Sequence, residues 1–246
     1  MKKLFVLITV TLMLSVTFFQ TIRATMSRRQ PPEIIYATTI ILDAGHGGKD
    51  GGASTADDTH ERDIVLVITK IVEEHLRLQG FNVIMTRSGD ADLASENARN
   101  RKKEDLARRV DIFNSTENAI AISIHANAIA NPRWYGAQTF YDPKRLENKE
   151  LATHIMDAMR TNISGLEREA RPISNIYVLR NSTIPTALVE VGFLSNPAEA
   201  RLLVCPDYQR LMAYAIFEGI LSYIEFAGLR IPLGENGLEL PTEQSE

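Results

Sequence analysis

The chain has 246 residues, of which 44% are hydrophobic and 24% charged. That is the make-up of an ordinary globular domain, long enough to bury a core without covalent staples. A net charge of −4 excludes the basic surface of a nucleic-acid binder and gives no long-range attraction to anionic polymers. The single cysteine, Cys205, excludes an intrachain disulfide and any multi-cysteine zinc site. After Leu202-Leu203-Val204 it reads as a small buried hydrophobe.

In chain order, Met1-Lys2-Lys3 precedes a largely apolar run from Leu4 to Phe19, the charged and hydrophobic regions of an export signal. Extended to Ile22, the run approaches the roughly 20 residues that span a bilayer. Residues 1–22 therefore read either as a cleaved signal or as an uncleaved signal-anchor. Gln20 to Ala24 makes a poor cleavage site, and Arg23, Arg28 and Arg29 leave the orientation unsettled by charge alone. Both readings export the rest of the chain. Residues 23–37, polar with Pro31-Pro32, read as a linker, and residues 229–246 as a flexible acidic tail. The remaining residues, 38–228, read as one domain without internal repeats.

Within that domain the apolar pattern alternates between strand and helix. Thr39 to Leu42 is a short buried strand. Apolar residues at 64, 68, 71, 72 and 76 predict a helix over 61–79, with Gly80 as its stop. Phe81 to Met85 is a second strand, preceding a helix over 104–117 that carries Leu106, Val110 and Phe113 on one face. The charged stretch Asn97 to Asp105 reads as a solvated loop before it, or as a contact for substrate or partner. Strands follow at Ala119 to Ile124 and Gly136 to Tyr141, then a helix over 147–164. Ile176 to Leu179 and Thr186 to Val191 read as strands, and 207–226 as the last helix. The pattern predicts an α/β domain with a mixed, mostly parallel sheet of about six strands and helices on both faces. Residues 119–124 and 136–141 are candidates for an antiparallel pair.

Four polar residues fall where strands end or a helix begins. His46 follows the first strand in Asp43-Ala44-Gly45-His46-Gly47-Gly48, where glycines permit a sharp turn and close approach to a ligand. His125 closes Ile122-Ser123-Ile124-His125, at the strand end where open α/β sheets bind ligands. Glu190 interrupts the apolar strand Ala187-Leu188-Val189-Glu190-Val191, and an ionised carboxylate there is costly unless paired. Glu61 opens the first long helix. Each has a plainer reading: a turn histidine, a core histidine, a structural ion pair, and a glutamate favoured by the helix dipole. Together, His46, Glu61 and His125 suit a catalytic zinc site with one position left for water, and Glu190 suits the proton acceptor beside it. His60, His75 and His154 read as solvated.

The segments Ile41 to Gly48, Ser123-Ile124-His125-Ala126-Asn127 and Val189 to Asn196 resemble the three signature blocks of zinc-dependent N-acetylmuramoyl-L-alanine amidases. Glu61-Arg62-Asp63 resembles the block that carries the family's second ligand, and Met85-Thr86-Arg87, Arg109 and Asn114 match further positions. The likeness spans roughly residues 38–226. It implies one zinc ion per chain held by His46, Glu61 and His125, with Glu190 catalytic. It implies hydrolysis of the amide between N-acetylmuramic acid and the L-alanine of the stem peptide. Asn127, Arg109 and Arg180 are the expected substrate contacts.

Within the family, Trp134 to Tyr141 and the short N-terminal apolar segment most resemble the germination-specific amidases of endospore formers. That implies a peptidoglycan substrate in the spore cortex, an extracytoplasmic location on the forespore side, and an activator or metal-loading protein as a partner. Some family members carry a helix that plugs the site after the strand ending here at Tyr141; the few residues before about Glu147 are too short for one. Two other functions fit the same residues: a zinc peptidase cutting within the stem peptide, and a wall-binding module without catalysis.

Overall fold

The central strands are apolar on both faces, which requires helices on both sides of the sheet. In the computed structural model, which describes residues 35–231 apart from Ala37 and Ala56, this is the arrangement. The expected signal at 1–22, almost all of the linker and the tail beyond residue 231 lie outside the described residues. Among the described residues, no helix is long and apolar enough to cross a membrane. Residues 36–231 make one compact unit.

The strands are β1 (Ile35–Tyr36), β2 (Thr39–Ala44), β3 (Val83–Met85), β4 (Ala119–Asn127), β5 (Gln138–Tyr141), β6 (Arg171–Pro172), β7 (Thr186–Phe193) and β8 (Arg230–Ile231). The helices are α1 (Glu61–Leu78), α2 (Arg101–Ser115), α3 (Leu146–Asn162), α4 (Tyr177–Asn181), α5 (Pro197–Leu203) and α6 (Pro206–Phe226). Six strands form one sheet in the order β3-β2-β4-β7-β5-β6. Every pairing in it is parallel except β5 with β7.

Alternation along β2 sends Ile40 and Leu42 to one face and Ile41 to the other. On the first face α1, α3 and α6 cover the main core, with Ile64, Ile68, Leu151, Ile155, Ile216 and Ile220 wholly or almost wholly buried. On the second, Val110 and Phe113 of α2 and Val178 of α4 pack on Ile41 and Ala121. Helix α1 stops as its sequence dictates. Gly80 takes a φ of 91°, and the amides of Gly80 and Phe81 donate back to the carbonyls of Arg77 and Leu76, the Schellman arrangement. Helices α3 and α6 approach closely because residue 219 is glycine: a Cβ there would lie 2.4 Å from the Ile155 Cα.

Several expectations change. Ile176 to Leu179 is not a strand: residues 177–181 are helix α4, whose Val178 and Leu179 are buried. The β-branched pattern that reads as strand is here satisfied by a short helix covering the sheet. Residues 138–141 pair antiparallel with β7, not with β4, because β7 inserts between them. Helix α5 was not expected, although Asn196 caps it through the amides of Ala198 and Glu199 and Pro197 opens it. Helix α2 begins at Arg101, so only the first part of the 97–105 stretch is loop. Cys205 is half-buried at the N-cap of α6 rather than fully buried. His75 and His154 are half-buried against aromatic rings of α6, and His60 is the N-cap of α1.

Candidate active site

The parallel strands β2, β4 and β7 deliver their chemistry to one end of the sheet. His125 lies opposite Glu190 in the β4–β7 register. One residue beyond β2, the Gly45 amide donates to the Ile124 carbonyl at 2.9 Å, which sets the first glycine-rich turn against His125. A Cβ on Gly45 would lie 2.3 Å from the His125 ring, so only glycine fits there. His46 then adopts a φ of 59°, a left-handed conformation that non-glycine residues rarely hold without support.

Two buried arginines provide that support. Arg109 donates to the carbonyls of His46 at 2.6 Å and Ala44 at 2.7 Å, and to the carboxylates of Asp43 at 2.6 Å and Asp105 at 2.9 Å. Arg87 donates to the carbonyls of Ala44, Gly45, Arg62 and Gly89 at 2.8–3.0 Å. Asp43 also accepts from Thr86 at 2.7 Å and Ser123 at 2.6 Å. Burial pushes the Asp43 pKa up, but the Arg109 charge and these hydrogen bonds outweigh it and hold the carboxylate below its ordinary range.

Glu61 joins the two histidines. Its Oε1 lies 3.1 Å from His46 Nε2 and 3.0 Å from His125 Nδ1, and it accepts from the Ala126 amide at 3.0 Å. Its Oε2 accepts from the Ala53 amide at 3.0 Å. Gly52, with a φ of 68°, leaves room for the carboxylate, since a Cβ would come within 2.5 Å of Oε2. Burial opposes ionisation of Glu61, yet the hydrogen bonds and charges of His125 and His46 hold it far below the usual carboxylate range. Burial likewise opposes the charged form of His125, but Glu61 raises its pKa. One donor atom from each of His46, Glu61 and His125 lies within 4.8 Å of the other two, a spacing that a metal ion can bridge. Asp50 Oδ2 sits 3.0 Å from the other nitrogen of His46.

Glu190 faces these groups differently. Its Oε2 is buried with no hydrogen-bond partner among the described residues. Burial, reinforced by Glu61 and opposed by the two histidines, pushes its pKa up to about 7. A cleft of about 290 Å³ connects His46, His125 and Glu190 with Lys102 of α2 and with Asn175 and Tyr177 at the start of α4. The sequence reading missed Lys102, Asn175 and Tyr177 as site residues. The only hint was the charge of the 97–105 stretch.

The expected substrate contacts separate. Arg109 lies on the cleft floor, 1% exposed, with every guanidinium nitrogen already engaged by the chain, so it braces the His46 turn rather than offering a free cation. Arg180 is exposed on α4 and does not line this cleft. Asn127 ends β4, its carbonyl accepting from the Leu194 amide at 2.7 Å. Asn114 lies away from the cleft, tying α2 to Asn181 and Thr183. Residues 142–145 turn directly into α3, and no residue of 142–165 lines the cleft.

This geometry has counterparts among known proteins. The family described as N-acetylmuramoyl-L-alanine amidase (Amidase_3) matches residues 40–222. A germination-specific N-acetylmuramoyl-L-alanine amidase of Bacillus subtilis is 48% identical over 177 residues, covering 71% of this chain and 74% of that protein. The CwlD amidase of Clostridioides difficile, solved in complex with the GerS lipoprotein, superposes with a TM-score of 0.74 at 40% identity, covering 76% of this chain and 98% of that one. The catalytic domain of CwlV, an amidase of Bacillus (Paenibacillus) polymyxa, gives a TM-score of 0.68 at 30% identity over 76% of this chain and 98% of that one. The glycine-braced His/Glu/His cluster therefore sits in a chain that belongs to the N-acetylmuramoyl-L-alanine amidase family.

Proposed function

We propose that His46, Glu61 and His125 hold one zinc ion and that Glu190 carries the proton in hydrolysis of the amide between the lactyl group of N-acetylmuramic acid and L-alanine. The observation that carries this reading is the convergence of three donor atoms beside a buried carboxylate oxygen that has no hydrogen-bond partner among the described residues. The donor set fits the group: two imidazole nitrogens and one carboxylate oxygen are the ligand types of a catalytic zinc site with an open position. Glu61 is already ionised by its surroundings. Asp50 Oδ2 lies 3.0 Å from His46 Nδ1, on the opposite side of the ring from the Nε2 that faces Glu61.

A bound zinc ion would supply Lewis acidity, polarising the scissile carbonyl and acidifying water. Glu190 accepts the proton of the attacking water on Oε2. The water oxygen bonds to the carbonyl carbon, the C–N bond breaks, and Glu190 returns its proton to the departing nitrogen. The products are the muramyl carboxylic acid and a stem peptide with a free L-alanine amino group. Lys102, Asn175 and Tyr177 line the approach to these groups and are placed to hold the stem peptide.

The 48% identity to a germination-specific amidase supports an extracytoplasmic role in spore-cortex peptidoglycan, with residues 1–22 directing export as a signal or anchor. The lipoprotein bound to the Clostridioides relative supports a protein partner here too. Zinc binding tests the site directly. Equilibrium dialysis of the chelator-stripped chain is expected to give about one zinc per chain. Full occupancy in a His46→Ala, His125→Ala double variant overturns the assignment.

A further inference from the structure

A second cleft, of about 470 Å³, opens beside the loop that links β4 to β5. Two consecutive aromatic residues stand out on it, Trp134 at 52% and Tyr135 at 64% exposed. Single exposed aromatics are common on protein surfaces, but these are mounted on a built support. The Arg168 guanidinium lies 5.6 Å from the Trp134 ring centroid and 5.3 Å from that of Phe193. It also donates to the Tyr135 carbonyl at 2.7 Å and the Gln138 side chain at 3.2 Å. Glu199 bridges the amides of Gly136 and Phe193 at 2.9 and 2.8 Å, and Asn196 donates to the Pro132 carbonyl at 2.9 Å. Gly136, with a φ of 90°, lets the loop close onto Leu166 and Arg168, which a Cβ would meet at 3.2 and 3.3 Å. The backbone that carries both rings is thus held in place before any ligand arrives, and Arg168 lies over the Trp134 ring, which lowers the entropic cost of binding.

The cleft shares no lining residue with the proposed active site, but β4, β5 and β7 tie the two together. Its loop starts where β4 ends at Asn127, two residues beyond His125, and Gln138, bonded by Arg168, lies opposite Glu190 in the β5–β7 register. Phe193 lies three residues past Glu190 on β7, about 10 Å along the strand. Around the rings stand an amide, a carboxylate and a guanidinium, those of Asn131, Glu167 and Arg133. An aromatic face ringed by mixed polar groups suits a polyhydroxylated sugar ring, which presents C–H bonds to the aromatic plane and hydroxyl and acetamido groups to the rim. Two exposed rings are a small anchor for a stable protein interface, which needs about 800 Å² on each partner.

We propose that Trp134 and Tyr135 form a sugar-stacking subsite that grips the peptidoglycan glycan strand next to the muramyl residue being cleaved. The occupant rests on the amidase reading above, but its test does not depend on turnover. Trp134 is the chain's only tryptophan, so tryptophan emission, excited at the red edge where the seven tyrosines do not absorb, reports on this cleft. The probes are peptide-free glycan oligosaccharides of alternating N-acetylglucosamine and N-acetylmuramic acid, with free stem peptide as the control. The glycan produces a saturable emission change, the stem peptide produces none, and Tyr135→Ala weakens the glycan titration about tenfold. An emission unmoved by glycan, or moved equally by stem peptide, overturns the subsite. Hydrolysis measured in parallel separates the two claims. Turnover with a flat glycan titration removes only the subsite, and a saturable titration without turnover removes only the amidase reading.

Discussion

His125 and Glu190 face each other across the parallel pairing of β4 and β7, one in register with the other. The pairing puts a histidine held by Glu61 next to a carboxylate whose Oε2 has no hydrogen-bond partner among the described residues. Glu190→Gln keeps the size of the side chain and removes the proton acceptor. The expected result is a loss of at least about a hundredfold in turnover with zinc content unchanged, read by steady-state kinetics and metal analysis of the same sample. Wild-type activity in this variant would assign the proton to another group.

The pKa of Glu190 has a second consequence, for the chelator-stripped chain. Its folded value, about 7, lies above the unfolded one near 4.3, so the folded chain binds the proton more tightly. That stability is fully present below the unfolded value and is lost as pH rises towards 7. Glu190→Gln should therefore stabilise the stripped protein at pH 8, by on the order of 3 to 4 kcal/mol, and by little at pH 4. Chemical denaturation at the two pH values reads the difference. Equal effects at both would place the carboxylate in water.

Asp43 behaves in the opposite sense. Arg109 and its hydroxyl donors hold its folded pKa below the ordinary value despite burial. Its contribution is present above the unfolded pKa of about 3.9 and is lost as pH falls through the depressed folded value. Arg109→Ala leaves Asp43 and Asp105 buried without their cation, at a cost of about 3–5 kcal/mol, and frees the carbonyl of His46. Arg109→Lys cannot make the same set of contacts and should recover only part of the stability. Denaturant midpoints across the three proteins give the comparison, and an Arg109→Ala variant as stable as wild type would contradict the bracing role.

Gly45→Ala isolates the position of His125. Its Cβ would overlap the imidazole at 2.3 Å, so the ring must move away from Glu61. Zinc affinity, measured by competition with a chromogenic chelator, should fall at least about tenfold. Unchanged affinity would show that the turn has room to spare.

The four residues that converge on the candidate site were legible because each broke a local pattern: histidines in a glycine turn and at a strand end, a glutamate inside an apolar strand, a glutamate opening a helix. The sheet's order was not, because β7 enters between β4 and β5 through pairings distant in sequence. Tyr177 and Asn175 escaped notice because Ile176-Tyr177-Val178-Leu179 has the residue types of a strand, and only packing on α2 and the sheet decides for helix. The family likeness gives Arg109 a substrate role, and its bracing of the His46 turn is visible only in the structure. That its nitrogens are used up by Asp43, Asp105 and two carbonyls depends on residues far apart in sequence, which no local pattern reveals.

The most direct test of the account is the mass of the products released from purified peptidoglycan by the chelator-stripped chain before and after zinc is restored. The account predicts no release without zinc, and with zinc intact stem peptides bearing a free L-alanine amino terminus and glycan strands with free muramyl carboxyl groups. Fragments cut within the stem peptide, or release that ignores zinc, would contradict it.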